Sequence, residues 1–400
     1  MPLIVGNPVS YSERVFDERS RLHREQQKKQ AQIPLGHTSV EEAHLEPLPQ
    51  PAISDFKTTP NKGLADMAST MGCGLGLAHV TFAQGSRPPF EHLSNLGNGT
   101  LSIVEEVKST KTGGIFVRKS IGISQGRADW LLPMIKQEVD VLKRLSHGHI
   151  ITIQGTYEVR RTFCIIMSPV GDGDLGGFME DVAEHGFPKD QRVMLWEWMP
   201  CLVSALLYLH EQGVRHRDIK PANIIYKGSS VFMTDFGSCR QFDMDATSST
   251  NTASFGNTKL YSAPEVLVQD SKRGRPADIF SLGCVLLEMY TVCRQRSVVD
   301  FFRFRERFAS GNPTFGVASQ ETLLEWTSSI SSNDIPELND EAPLLRRMLL
   351  EDPSERPEAK EVSLSLKAQA CKHIGGDLYR TVDWSATLGE GAGGEQRQVY

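Results

Sequence analysis

An apolar helical run over residues 189–212 leads into the polar sequence His216-Arg217-Asp218-Ile219-Lys220-Pro221-Ala222-Asn223, and short apolar strand-like runs follow at 224–226 and 231–233. This junction constrains the chain more than any other stretch. The helix carries a stripe of core type, with Leu195, Trp198, Leu202, Leu206 and Leu209 among its members. The loop after it offers one carboxylate, one ammonium and one carboxamide within six residues. Phosphoryl transfer needs such a set: a carboxylate to orient a hydroxyl, a cation for developing phosphate charge, and an oxygen for Mg²⁺. A chain built for that chemistry must also hold a phosphate-cradling loop, a lysine with a partner and a second metal carboxylate.

Each has a candidate. In Leu96-Gly97-Asn98-Gly99-Thr100-Leu101-Ser102-Ile103-Val104, Gly97 and Gly99 let the backbone approach phosphates closely. Val104 is placed to pack on a flat ring, although a plain β-hairpin would use the same residues. In the strand over 114–121, alternation puts Phe116, Arg118 and Ser120 on one face and Ile115, Val117, Lys119 and Ile121 on the other. Lys119 thus joins an apolar face, which is costly for an ammonium unless it is paired or snorkels to an edge. The spacing predicts a helix over 133–145 with Pro133 in its first turn. Glu138 borders its apolar stripe of Ile135, Val139, Leu142 and Leu145, and is the natural partner of Lys119. His147-Gly148-His149 ends that helix and reads as a loop rather than a metal site. Strands over 150–157 and 162–167 lead to Ser168-Pro169-Val170-Gly171-Asp172-Gly173-Asp174, a hinge-like stretch. Asp235 leaves the 231–233 strand at a glycine turn, where a carboxylate can hold Mg²⁺.

Together these motifs resemble the eukaryotic protein kinase family, serine/threonine type, in order from 97 to 356 and over about two-thirds of the chain. Ala263-Pro264-Glu265 resembles the end of the family's activation segment, and Asp278-Ile279-Phe280-Ser281-Leu282-Gly283 the helix that anchors the catalytic loop. The resemblance implies an α+β, bilobal protein-kinase-like fold, with a small β-rich N-lobe (89–167), a hinge (168–174) and a larger helical C-lobe (175–372). It implies transfer of the γ-phosphoryl group of ATP, with Mg²⁺, to a Ser/Thr hydroxyl of protein substrates. Gly97, Gly99 and Ser102 would line the phosphates, and Lys119, held by Glu138, would contact the α- and β-phosphates. Val104, Val117 and Ile225 would enclose the adenine, Ser168 and Val170 would meet its edge, and Asp174 the ribose. Asp218 would orient the hydroxyl, Lys220 would neutralise the transferring phosphate, and Asn223 and Asp235 would hold Mg²⁺. Arg356 would pair with Glu265. Lys220 and Thr258 favour serine or threonine as acceptor. The chain departs from the family pattern at Ser102 (usually Gly), Val117 (usually Ala), Asn257 (usually Gly) and Ala222, which removes the basis for a basic substrate motif.

The rival reading is a pseudokinase, a binding or scaffold module; Lys119, Asp218 and Asp235, whose loss would mark one, are all present. A small-molecule kinase is disfavoured by Ala263-Pro264-Glu265 and Arg356. Lys plus Arg is 43 and Asp plus Glu is 49, a net −6 that argues against nucleic acid as the main partner. No run approaches the roughly 20 apolar residues of a membrane span. The absence of a signal-like start and seven cysteines without paired spacing fit a reduced, cytoplasmic or nuclear setting. Residues 1–88 read as an N-terminal extension, largely disordered, with a partly helical 13–30, a Pro-rich linker at 46–62 and a glycine spacer at 72–78. Residues 373–400 read as a disordered tail. The segment from Asp235 to Glu265 carries hydroxyls at 247–254, candidates for an upstream kinase or autophosphorylation, with Arg217 placed to meet a phosphate. Arg303, Arg305 and Arg307 among the phenylalanines of 301–308 read as a solvated face.

Overall fold

The computed structural model describes residues 79–83, 85–98, 102–238, 240–241, 259–267, 274–308, 314–330 and 341–366. The expectations for 1–78, Gly99, the 247–254 hydroxyls, Asn257, Thr258 and 373–400 lie outside these residues.

The N-lobe is a six-stranded sheet in the order β1-β5-β6-β4-β3-β2. Its strands are β1 (His79–Phe82), β2 (Phe90–Asn98), β3 (Ser102–Ser109), β4 (Ile115–Gly122), β5 (Thr152–Val159) and β6 (Thr162–Ser168). β1 runs parallel to β5, and the other pairs are antiparallel. The alternation expected in β4 divides the sheet's two faces. Phe116 joins Val107, Tyr157, Cys164 and Ile166 in a small core on one face, with Val80, Phe82, Phe90 and Val159 packed against it. The edge strand β1 comes from the segment read as extension. Phe82 meets Tyr157 edge-on at 5.6 Å, and His79 stacks on Phe163 at 5.6 Å. Burying these rings brings 79–82 into the sheet, so the sheet begins before the boundary set at residue 89.

The other face of β4 looks onto helix α1 (Ala128–Arg144). Leu131, Ile135, Val139 and Leu142 are its buried stripe. The expectation of Pro133 in the first turn is corrected: the helix starts at Ala128 and Pro133 lies inside it. Leu131 sits one turn before Ile135 and extends the buried stripe toward the N-terminus, while Pro133 is exposed, so the missing amide bond falls on the solvent side.

The C-lobe is helical. In chain order its helices are α2 (Leu175–Glu184), α3 (Lys189–Glu211), the single turn α4 (Pro264–Leu267), α5 (Arg275–Cys293), α6 (Val298–Phe308), α7 (Gln320–Ser329), α8 (Ala342–Met348) and α9 (Ala359–Ser365). α3 and α5 are long and apolar enough to cross a bilayer, but 56% and 89% of their apolar windows are buried inside the protein. They are the lobe's core. Short strands complete it: β7 (Gly173–Asp174), β8 (Val214–Arg215), β9 (Ile224–Lys227), β10 (Ser230–Met233) and β11 (Arg240–Gln241).

The lobes are tied behind the cleft and at the hinge. Behind the cleft, His149 Nδ1 lies 2.9 Å from the Val231 carbonyl, Met233 N donates to His149 O at 2.8 Å, and Ile151 N donates to Met233 O at 3.0 Å. His147 lies 3.3 Å from Ser204 Oγ and stacks on Tyr208. Both histidines thus act as interlobe contacts. At the hinge, Asp172 accepts from Lys227 Nζ at 2.5 Å and from Gly228 N at 2.7 Å. A Cβ at Gly171 would meet Ile225 Cβ at 3.0 Å, so the hinge lies directly against β9.

The solvated face expected at 301–308 holds only in part. Arg303, Arg307 and Phe308 are exposed, but Arg305 is fully buried. It lies over the Phe315 ring at 3.5 Å and the Phe301 ring at 4.5 Å. The i, i+4 spacing puts Arg305 on the same helix face as Phe301, and its planar cation replaces an apolar core residue there.

Candidate active site

β3 and β4 carry the roof and the lysine. Val104 pairs with Lys119, and Lys119 with Ile165 of β6, so the lysine sits in the middle of the sheet. Lys119 Nζ donates to Glu138 Oε1 at 2.7 Å and to Asp235 Oδ1 at 3.0 Å. The side chains of Lys119 and Glu138 are 12% and 6% exposed, while Asp235 is 46% exposed at the cleft. Burial opposes the Lys119 ammonium, but the charges of Glu138 and Asp235 overcome it and hold its pKa above the ordinary lysine value. The reverse pull of Lys119 lowers the Asp235 carboxyl to about 2. One cation therefore ties α1, the sheet and the Asp235 turn together in its ionised form.

Asp235 adopts a left-handed φ of 62°, which aims its carboxylate back at Lys119. Phe236 behind it is 1% exposed, and its turn packs on α1. A Cβ at Gly237 would lie 3.4 Å from Glu138 Oε2 and 3.5 Å from Lys119 Nζ, so this turn runs in van der Waals range of the ion pair.

The 216–223 loop is held from below. Asp278 of α5 accepts from His216 N at 2.9 Å and Arg217 N at 2.8 Å, and lies 3.2 Å from His210 Nε2. His216 Nε2 lies 3.1 Å from the Thr234 carbonyl. Arg217 takes a φ of 71°, so the backbone turns sharply just before Asp218. Asp218 Oδ2 accepts from Lys220 Nζ at 2.8 Å and from Asn223 Nδ2 at 2.9 Å, and Asn223 Nδ2 also donates to the Asp218 carbonyl at 2.8 Å. The Asn223 amide nitrogen is spent within the loop, so what it can offer a cation is Oδ1. Thr234 N donates to Asn223 O at 3.0 Å, which couples this loop to the Asp235 turn. The oxygens of Asn223 and Asp235 form the hard donor set that suits Mg²⁺.

The other residues read from sequence as nucleotide neighbours lie on β2, β3, β4, the hinge and β9. Val117 and Met167 are register partners, each 5% exposed. Ser168 takes a 2.7 Å bond from Gln154 Nε2 on its hydroxyl, which leaves its main chain to the hinge. Val170 and Ile225 are half-buried beside it. Gly97 pairs with Val104 at the end of the β2–β3 hairpin, and Ser102 opens the return strand. Asp174, expected at a ribose, is the N-cap of α2: its Oδ1 accepts from Gly177 N at 3.0 Å. Sequence reasoning passed over Met167, although its place at the end of a buried strand just before the hinge was the available signal. It also passed over His210, a histidine one position inside the end of α3.

Arg356 Nη1 and Nη2 donate to Glu265 Oε1 and Oε2 at 2.7 and 2.8 Å, the two-pronged pairing expected from sequence.

The chain matches the family described as Protein kinase domain over residues 90–365. It is 35% identical over 199 residues to the serine/threonine-protein kinase TIO of Arabidopsis thaliana, a match covering 49% of this chain and 14% of that protein. The chain thus spans well under two-thirds of that relative's length. With most of its length matched to the family and the two-lobed arrangement in place, the chain belongs to the protein kinase domain family.

Proposed function

We propose that this protein is an ATP- and Mg²⁺-dependent protein kinase that phosphorylates serine or threonine hydroxyls of polypeptide substrates. The observation that carries the reading is the continuous set of contacts Glu138–Lys119–Asp235, with Asp218–Lys220–Asn223 assembled beside it. Glu138 holds the Lys119 ammonium at the cleft, where it meets nucleotide phosphates. Asp235 and Asn223 Oδ1 would hold Mg²⁺, which would supply charge neutralisation at the phosphates. Asp218 is oriented through Oδ2, and Oδ1 remains to orient the attacking hydroxyl. Lys220 stays beside it as the cation for charge developing on the transferred group. Val117, Met167 and Ile225 supply apolar walls for the base. The printed name of the Arabidopsis relative supports the serine/threonine assignment, as does Lys220 two residues after Asp218.

The test is phosphorylation of a peptide library with Ser, Thr and Tyr acceptors by Mg-ATP, with Asp218→Asn as control. The reading expects label on Ser and Thr peptides from the wild type alone. Label on Tyr alone would overturn the acceptor assignment. Nucleotide binding with no transfer to any peptide would favour the pseudokinase reading instead.

A further inference from the structure

Beneath the segment that ends at Glu265 lies a buried charged assembly that phosphoryl transfer does not use. Tyr261, 6% exposed, is held at both ends by α5. Its carbonyl accepts from Ser281 Oγ at 2.9 Å, and its hydroxyl donates toward Glu288 Oε2 at 2.9 Å and Oε1 at 3.2 Å. Ser281 and Glu288 are seven residues apart, two helical turns, and so share one face. Glu288 is 1% exposed, and a carboxylate so deep in a lobe needs a counter-charge. That charge comes from α6: Arg305 Nη2 lies 3.9 Å from Glu288 Oε1, in a side chain 0% exposed. The guanidinium carbon lies over the Phe315 ring at 3.5 Å and over the Phe301 ring at 4.5 Å. Phe315 in turn lies 5.8 Å from the Tyr261 ring. Next to it, a Cβ on Gly316 would meet Ser262 O at 2.9 Å and Pro264 N at 3.2 Å. The 314–317 turn is thus seated directly under the backbone that follows Tyr261.

We infer that Arg305 is a positioning residue for the polypeptide substrate, acting through Glu288 and Tyr261 to fix the wall formed by residues 260–265. The inference rests on the kinase reading, because that segment bears on a polypeptide and not on the nucleotide. The bonds given for Tyr261 and Glu288 run to α5 and α6, so their loss is expected to act on peptide binding and to leave nucleotide binding alone. The assembly also occupies Glu288 internally. The carboxylate is satisfied by Arg305 and Tyr261, so it does not serve to select a basic side chain in the substrate.

The experiment is steady-state kinetics with an unphosphorylated Ser/Thr peptide that the wild type labels in the library and Mg-ATP, each varied in turn, for wild type, Tyr261→Phe, Arg305→Met, Arg305→Lys and Arg305→Met/Glu288→Gln. Tyr261→Phe and Arg305→Met are expected to raise the peptide KM about tenfold, ~1.4 kcal/mol, with the Mg-ATP KM unchanged. Arg305→Lys keeps the charge but not the planar group over the rings, and falls between. Adding Glu288→Gln to Arg305→Met removes the stranded carboxylate and returns the peptide KM toward wild type, the coupling that a merely structural residue would not show. Should Arg305→Met fail to fold, Tyr261→Phe and Arg305→Lys decide alone. An unchanged peptide KM in Tyr261→Phe, or peptide and Mg-ATP KM values rising together, overturns the inference. A wild type that transfers nothing overturns the kinase reading itself, a separate outcome.

Discussion

Asp218 and Glu288 show two opposite fates of a carboxylate in this chain. Asp218 is anchored by Lys220 and Asn223 at the cleft, with one oxygen left for work. Asparagine at 218 keeps an acceptor for Lys220 but cannot take a proton from a hydroxyl. Asp218→Asn is therefore expected to lower kcat about 10²- to 10⁴-fold without changing the melting midpoint, measured by peptide phosphorylation and calorimetry on the same preparations. Glu288 is buried, and burial pushes its carboxyl up from 4.5 to about 7 against the pull of Arg305 and the Tyr261 hydroxyl. A carboxyl raised on folding binds its proton more tightly in the folded state. Its contribution to stability is complete below pH 4.5 and is lost as pH rises through about 7. Urea unfolding of wild type and Glu288→Gln across that window should show the wild type losing stability relative to the variant as pH rises. A difference that stays constant, or grows in the other direction, would contradict a raised carboxyl at 288.

At the scale of elements, what was legible in the sequence was what periodicity and spacing can carry. β4 alternates cleanly, so Lys119 was placed on its face and Glu138 found across from it. The Asp218 loop and the Asp235 turn were read from residue order alone. Three placements were not legible, each for a physical reason. Pro133 suggested a helix start, but the buried stripe through Leu131 and Ile135 pulled the helix further back. Arg305 looked solvated because arginine on an amphipathic helix usually is; the Phe301 ring one turn back, the Phe315 ring and a glutamate on α5 override that, and Phe315 and Glu288 come from other elements. The cap bond of Asp174 was not read, because the same residue type serves a helix cap as well as a ligand and only the helix start at Leu175 shows the cap. The contact between α5 and α8 gives a prediction at this scale. A Cβ on Gly283 would lie 2.8 Å from Met348 Cβ, which forces the two helices apart. Gly283→Ala is expected to destabilise the fold by about 1–3 kcal/mol in chemical denaturation, despite the better helix propensity of alanine. A stabilised variant would show that the helices are not packed this closely.

For the whole molecule, the N-lobe sheet has six strands because residues 79–82 cover its edge and complete the small core around Phe116 and Tyr157. A chain that begins at Leu75 keeps that strand, and one that begins at Gly85 loses it. The longer chain is expected to melt like the full protein. Loss of the Phe82 contact alone costs about 2 kcal/mol, so the shorter chain should melt about 4 °C lower or more. Equal midpoints for the two would remove β1 from the domain. The two lobes meet at the hinge and at the His149–Met233 bonds, and between them the Lys119 pair joins sheet, helix and the Asp235 turn. The proposed role of this arrangement is phosphoryl transfer. It is tested by single-turnover transfer from Mg-ATP to a Ser/Thr peptide, for wild type and for Asp218→Asn, with nucleotide affinity measured in parallel. The wild type is expected to transfer rapidly and the variant at least a hundredfold more slowly, at equal nucleotide affinity. Equal transfer by both proteins, or nucleotide binding by the wild type with no transfer, would contradict that role.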